Sequence, residues 1–186
     1  MAMLRSQRWV TKRKPTLLCD FNMENFDIPN PQETANRYLQ EGYEKQMAGK
    51  VDEAVTLYLQ SIASQPTAEA HTFLGWAYSV KGRYGDAIRE CERAIRIDPQ
   101  YGNPYNDIGA YLIETGRWQE ALPWLEKATT AERYDGRFYA WYNLGRVWEH
   151  QGDWSKALEA YRHALQQNTE YTLAAKAISR MESMLN

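Results

Sequence analysis

Apolar and polar positions run along this chain with the period of an α-helix. Trp141, Leu144, Gly145 and Trp148 fall at i, i+3, i+4 and i+7, which is one helical face. After a break, Ala157, Leu158, Tyr161, Ala164 and Leu165 repeat that spacing. The break itself, Gly152-Asp153-Trp154-Ser155-Lys156-Ala157, has a plan: a glycine, a charged residue, a bulky apolar residue, two mostly polar residues, an alanine. Gly49-Lys50-Val51-Asp52-Glu53-Ala54, Gly82-Arg83-Tyr84-Gly85-Asp86-Ala87 and Gly116-Arg117-Trp118-Gln119-Glu120-Ala121 follow the same plan.

The turn glycines Gly49, Gly82, Gly116 and Gly152 stand 33, 34 and 36 residues apart, a period that marks a repeat architecture. Seven residues before each stands another glycine, Gly42, Gly75, Gly109 and Gly145. Small residues also recur beyond the turns, first Ala54, Ala87, Ala121 and Ala157, then Ser61, Ala94, Ala128 and Ala164. Small side chains let two helices approach backbone to backbone while bulky neighbours fill the grooves between ridges. A glycine between the helices permits the positive φ of a helix C-cap. Each unit is therefore predicted to be a helical hairpin, and the chain to be all-α.

On these residues the chain resembles the tetratricopeptide repeat family. The tryptophan, leucine, glycine and tyrosine places of that family's first helix are matched by Trp141, Leu144, Gly145 and Trp148, by His71, Leu74, Gly75 and Tyr78, and by Tyr105, Ile108, Gly109 and Leu112. The alanine, aromatic and proline places of the second half are matched by Ala54, Tyr58 and Pro66, and by Ala87, Cys91 and Pro99. The resemblance covers residues 35–169, in units of about 35–67, 68–101, 102–137 and 138–169. It implies a right-handed superhelical stack of four hairpins, closed by a capping helix over 170–186 that carries Leu173, Ala174, Ala177, Ile178, Met181 and Leu185.

Some positions depart from the family pattern. Glu41 and Lys45 replace apolar residues in the first unit, as suits a terminal repeat facing water, and Arg133 and Thr169 stand where proline is usual. The stretch Arg133-Tyr134-Asp135-Gly136-Arg137 makes its unit two residues longer than a 34-residue period, which is expected to offset the stacking angle. Pro123 lies inside a second helix, where it removes at most one backbone hydrogen bond.

Composition narrows the function. A chain of 186 residues with a net charge of -2 carries no global attraction to nucleic acid or anionic lipid. Its charge is nevertheless segregated: Arg5, Arg8, Lys12, Arg13 and Lys14 precede Asp20, Glu24, Asp27 and Glu33. Residues 1–34, with Pro15, Pro29 and Pro31 and no helical period, are expected to be a flexible extension, in which Met23 offers a second start. Cys19 and Cys91 have neither disulfide-framework nor metal spacing, which suits a reducing compartment. With no apolar run for a signal core or a membrane span, the expected location is cytoplasmic. His71, His150 and His163 lack partners at metal or triad spacing, and every repeat glycine already has a turn or packing role. No enzyme, cofactor or metal is expected.

What remains is binding. In the family, first helices line a concave groove, with the second, fifth, sixth, ninth, twelfth and thirteenth places of each unit facing it. Carried onto this sequence, the groove candidates are Tyr43 and Met47, then Phe73 and Trp76, then Asn106 and Asp107, then Tyr139, Tyr142, Asn143, Arg146 and His150. Glu69, Ala110, Glu114 and Glu149 occupy further groove places. This mixture suits a protein or peptide partner, held by amides on its backbone and by aromatics on its apolar groups. Trp76 is expected at the centre, beside Tyr43, with Asn106 and Ala110 on its other side. The family's clamp for chaperone C-termini is not expected, because Leu39, Tyr43, Phe73, Asn103 and Asp107 stand in its places. Self-association through the tail or last helix is the second reading. RNA binding comes third, since the groove is poor in Lys and Arg.

Overall fold

The computed structural model describes residues 30–185. Among these, the chain forms α1 (Pro31–Met47), α2 (Val51–Ser64), α3 (Ala68–Val80), α4 (Tyr84–Ile97), α5 (Asn103–Glu114), α6 (Trp118–Thr130), α7 (Arg137–His150), α8 (Trp154–Gln167) and α9 (Thr172–Leu185). Helix α1 opens ahead of the expected boundary at residue 35. Asn30 accepts a hydrogen bond from the Gln32 N–H at 3.0 Å, and Pro31, whose missing N–H is no loss in a first turn, follows at once. The expected flexible extension before it, with Cys19, Met23 and the basic stretch, lies outside the described residues.

Every hairpin turn is built in the same way. Gly49, Gly82, Gly116 and Gly152 take φ between +71° and +78°. The residue after each glycine then donates to the carbonyl five residues back: Lys50 to Lys45, Arg83 to Tyr78, Arg117 to Leu112 and Asp153 to Trp148, at 2.8–2.9 Å. This is the Schellman closure, which satisfies carbonyls that a helix end would leave bare and reverses the chain. Pro123 sits inside α6, which continues to Thr130.

Within three of the hairpins, the mid-helix glycine of the first helix meets a large side chain of the second, while Gly75 meets the Ala87 carbonyl and the Cys91 sulfur. A β-carbon at Gly145 would lie 2.4 Å from the Tyr161 ring, and one at Gly42 would lie 2.6 Å from Tyr58. Both tyrosines are fully buried. Between hairpins, each second helix packs on the next first helix, and first helices also touch one another, α1 on α3, α3 on α5 and α5 on α7. The central core joins Cys91, Ile108, Leu112, Leu125, Leu144 and Val147. At the C-terminal end, Ala177 and Met181 of α9 pack against Ala157 and Tyr161.

Two polar arrangements inside this stack were not expected. His71 does more than fill space, because its Nδ1 lies 2.8 Å from Glu90 Oε2 while Glu90 Oε1 accepts from Arg93 at 2.6 Å. Burial would raise the Glu90 carboxyl, but the His71 hydrogen bond and the Arg93 and His71 charges hold it below the usual range. The long connection between α6 and α7 is a strap. Arg133 N–H donates to the Gln100 carbonyl and its own carbonyl accepts from Gly102, forming a bridge with Tyr101. The Arg133 guanidinium reaches Asp98 and, 64 residues away in sequence, Glu69, both at 2.6 Å. Tyr134 is buried against Gly102, where a β-carbon would lie 2.4 Å from it.

Because the buried Tyr161 ring lies directly on the Gly145 backbone, Gly145→Val is expected to lose about 2–3 kcal/mol of stability, the usual cost of overfilling a packed core. A urea titration followed by far-UV circular dichroism checks this. An unchanged midpoint would show that the contact between Gly145 and Tyr161 does not set the hairpin spacing.

Candidate binding groove on the inner face

The first helices α1, α3, α5 and α7 carry the predicted groove residues, and the structure divides them into an aromatic half and a polar half. In the aromatic half, Tyr43 from α1 meets two rings of α3, Phe73 edge-on at 5.7 Å and Trp76 at 6.4 Å between centroids. Phe73 and Trp76 are themselves 6.2 Å apart, and Phe73 stacks on the buried Tyr58 at 5.8 Å. Tyr43 remains 39% exposed and Met47 62%, whereas Phe73 and Trp76 are half-buried. A cavity of about 450 Å³ opens here, lined by Asn36, Leu39, Gln40, Tyr43 and Phe73. Trp76 thus belongs to a three-ring cluster rather than standing alone.

In the polar half the side chains form a relay. Arg146 Nη1 donates to Asn143 Oδ1 at 3.3 Å, Asn143 Nδ2 to Asn106 Oδ1 at 3.1 Å, and Asn106 Nδ2 to Asp107 Oδ1 at 3.3 Å. Asn106 and Asn143 are buried, so both amide oxygens are already engaged within the protein. Arg146 also reaches Glu114 at 3.0 Å. Asp107 has no such cation. Burial pushes its carboxyl up from 3.8 to about 7, against the opposing pull of the Asn106 hydrogen bond.

At the C-terminal end a second cavity, of about 400 Å³, is lined by Tyr142, Arg146 and His150 together with Trp118, Trp154 and Arg180. His150 lies over Trp118 with ring centroids 4.2 Å apart. Trp118, Trp154 and Arg180 were missed because they come from α6, α8 and α9, outside the first helices that the repeat pattern assigns to the groove. Trp118 and Trp154 share the bulky place two residues after a turn glycine, and that place was the available signal. Tyr139 is exposed and sits at the edge, grouped with Phe138 at 4.1 Å and with Tyr171 at 5.5 Å.

Among the described residues no group of His, Cys, Asp or Glu converges on a metal-sized site, and burial raises the Cys91 thiol well above its ordinary range. Among them too, no helix is long and apolar enough to cross a membrane.

Two family models, both described as tetratricopeptide repeat, match residues 39–102 and 100–170. The chain belongs to the tetratricopeptide repeat family. It is similar to the small glutamine-rich tetratricopeptide repeat-containing protein 2 of Mycosarcoma maydis, with 28% identity over 93 residues. That match takes in 50% of this chain and 26% of the relative. Sperm-associated antigen 1 of Rattus norvegicus is 28% identical over 151 residues, 81% of this chain and 13% of that protein. The chain therefore spans about a quarter or less of the length of these curated relatives. In fold it is similar to the solved structure of Pseudomonas aeruginosa pilF, with a TM-score of 0.77 and 23% identity over 82% of this chain and 69% of that one. Tetratricopeptide repeats generally act as non-catalytic modules of protein–protein interaction.

The raised Asp107 carboxyl makes a prediction about these repeats. The folded chain keeps its proton up to about pH 7 while the unfolded chain releases it near 3.8, so stability falls as pH rises between those values and the cost is complete above them. Asp107→Asn keeps the Asn106 hydrogen bond and removes the charge. Thermal melts of the variant are expected to match wild type near pH 4 and to exceed it above pH 7 by about 2 kcal/mol, allowing for the water that still reaches the group. Equal melts at pH 8 would show that the carboxylate is already well solvated.

Proposed function

We propose that this chain is a non-catalytic adaptor that seats a segment of a partner protein along the inner face of its repeats. The observation that carries the reading is Tyr43, exposed beside Phe73 and Trp76 at the mouth of the cavity of about 450 Å³. Tyr43 and Phe73 line the cavity and Trp76 adjoins both, which leaves apolar surface that a partner's side chain would cover, and aromatic residues in such places dominate binding energy. The polar half contributes orientation. Its buried asparagines hold Arg146 and Asp107 in place, so the direct contacts to a partner fall to those two charged groups and to Tyr142 and His150. Stacked hairpins also present an extended concave surface, which suits a chain segment better than a small molecule. The family's general role in protein–protein interaction supports the same reading.

A dodecamer display library panned on the immobilised full chain tests it. The expected winners share an aromatic or branched apolar residue, and Tyr43→Ala is expected to weaken their binding by about 2 kcal/mol. Tyr43→Ala is a cleaner probe than Trp76→Ala because the half-buried indole also supports the fold. Its melt is expected to stay within about 0.5 kcal/mol of wild type. Winners indifferent to Tyr43 would place the binding surface elsewhere. A concentration-dependent dimer abolished by Tyr43→Ala would make a second copy of the chain the occupant instead.

A further inference from the structure

The inner face carries its own charge accounting. At the groove places stand Glu69, Asp107, Glu114 and Glu149 against one base, Arg146, so the face is acidic by three charges, four minus one. Three of those acids are answered from within the chain: Glu69 by Arg133 at 2.6 Å, Glu114 by Arg146 at 3.0 Å and Glu149 by Arg180 at 2.6 Å. Asp107 is the exception. Among the described residues no Lys, Arg or His lies within ion-pair distance of it, and its only hydrogen bond is the one from Asn106 at 3.3 Å. The titratable groups it acts on are Cys91, Tyr101, Tyr111 and Tyr134, all neutral at pH 7.

The repeat register explains the gap. In the fourth unit Asn143 holds the place of Asp107, and Arg146, three residues on and directly after the helix glycine Gly145, donates to it at 3.3 Å. In the unit that holds Asp107, the residue after Gly109 is Ala110, which has no arm to extend. Ala110 also stands three residues beyond Asp107, hence on the same helical face, so the position beside the carboxylate is occupied by a methyl group only. Asp107 is part-buried and keeps some access to water. A desolvated carboxylate with no cation is costly to the free protein, and a cation arriving with a ligand recovers that cost.

Resting on the groove reading above, we propose that the bound segment carries a lysine or arginine whose cationic group enters over Ala110 and pairs with Asp107. The apolar residue seated at Tyr43 and the basic residue at Asp107 would then be two fixed points of one recognition motif. Acidic peptides are disfavoured at the same place, because an acid there would face Asp107 directly.

The test pans the same dodecamer library on the full chain and on Asp107→Asn at pH 8 and low salt. Wild type is expected to enrich peptides with a Lys or Arg at constant spacing from the apolar residue, and Asp107→Asn to lose the basic requirement while keeping the apolar one. For one synthetic winner, replacing the base with glutamine is expected to weaken binding at least tenfold on wild type and less than twofold on Asp107→Asn. Basic residues absent from the winners, or a glutamine effect equal on both proteins, would overturn the proposal. In that case winners that still depend on Tyr43 leave the groove reading standing. Winners independent of Tyr43 as well overturn both.

Discussion

The structure depends on one kind of contact, a side chain of the second helix lying directly on the backbone of the first where a glycine has removed the β-carbon. Tyr58 on Gly42, Leu125 on Gly109 and Tyr161 on Gly145 all use it, with 2.4–2.6 Å left for an atom that is not there. Dispersion falls off steeply with distance, so this approach sets how closely each hairpin closes. Hairpin closure in turn sets the tilt at which the next first helix is laid down. The inner face is therefore a by-product of packing on the opposite side of the first helices, and its side chains are free to vary as long as the glycines remain.

That division of labour separates what was legible in the sequence from what was not. Hairpins, turns and the closing helix are written at fixed spacing, because a helix end needs a glycine at positive φ and a close crossing needs a small residue. The register also selected Tyr43, Phe73 and Trp76, whose rings adjoin, and Asn106, Asn143 and Arg146, whose side chains are hydrogen-bonded in series. Contacts between side chains that share no spacing were beyond reach. Nothing in the order of residues announces that Arg133 would span to Glu69, or that His71 would meet Glu90. Trp118, Trp154 and Arg180 reach the C-terminal cavity from the second helices and the closing helix, where periodicity assigns them to turns and caps. Burial of the asparagine relay was likewise hidden, since it depends on how near α5 and α7 come to one another.

The two halves of the groove do different physical work. The ring cluster offers apolar area with little direction, while the relay from Arg146 to Asp107 fixes charged groups in a defined order and so supplies direction with little area. A surface of this kind discriminates through combination: each half alone would tolerate many ligands, and only a segment that satisfies both would be held. The uncompensated carboxylate fits this view as a place where stability is given up.

The strap between α6 and α7 has a consequence for how such a chain can change over evolutionary time. Arrays of like hairpins are usually treated as cassettes, duplicated, deleted or exchanged because each unit speaks only to its neighbours. Here that dialogue between neighbours includes a clasp: Arg133, in the connection that closes the third unit, fastens it to the second at Asp98, just past α4, and at Glu69 of α3. Excising the third unit would take the arginine with it and leave Glu69 and Asp98 of the second unit without the cation that joins them. The second and third units are thus matched to each other as a pair, and exchanging either one alone would lose the clasp.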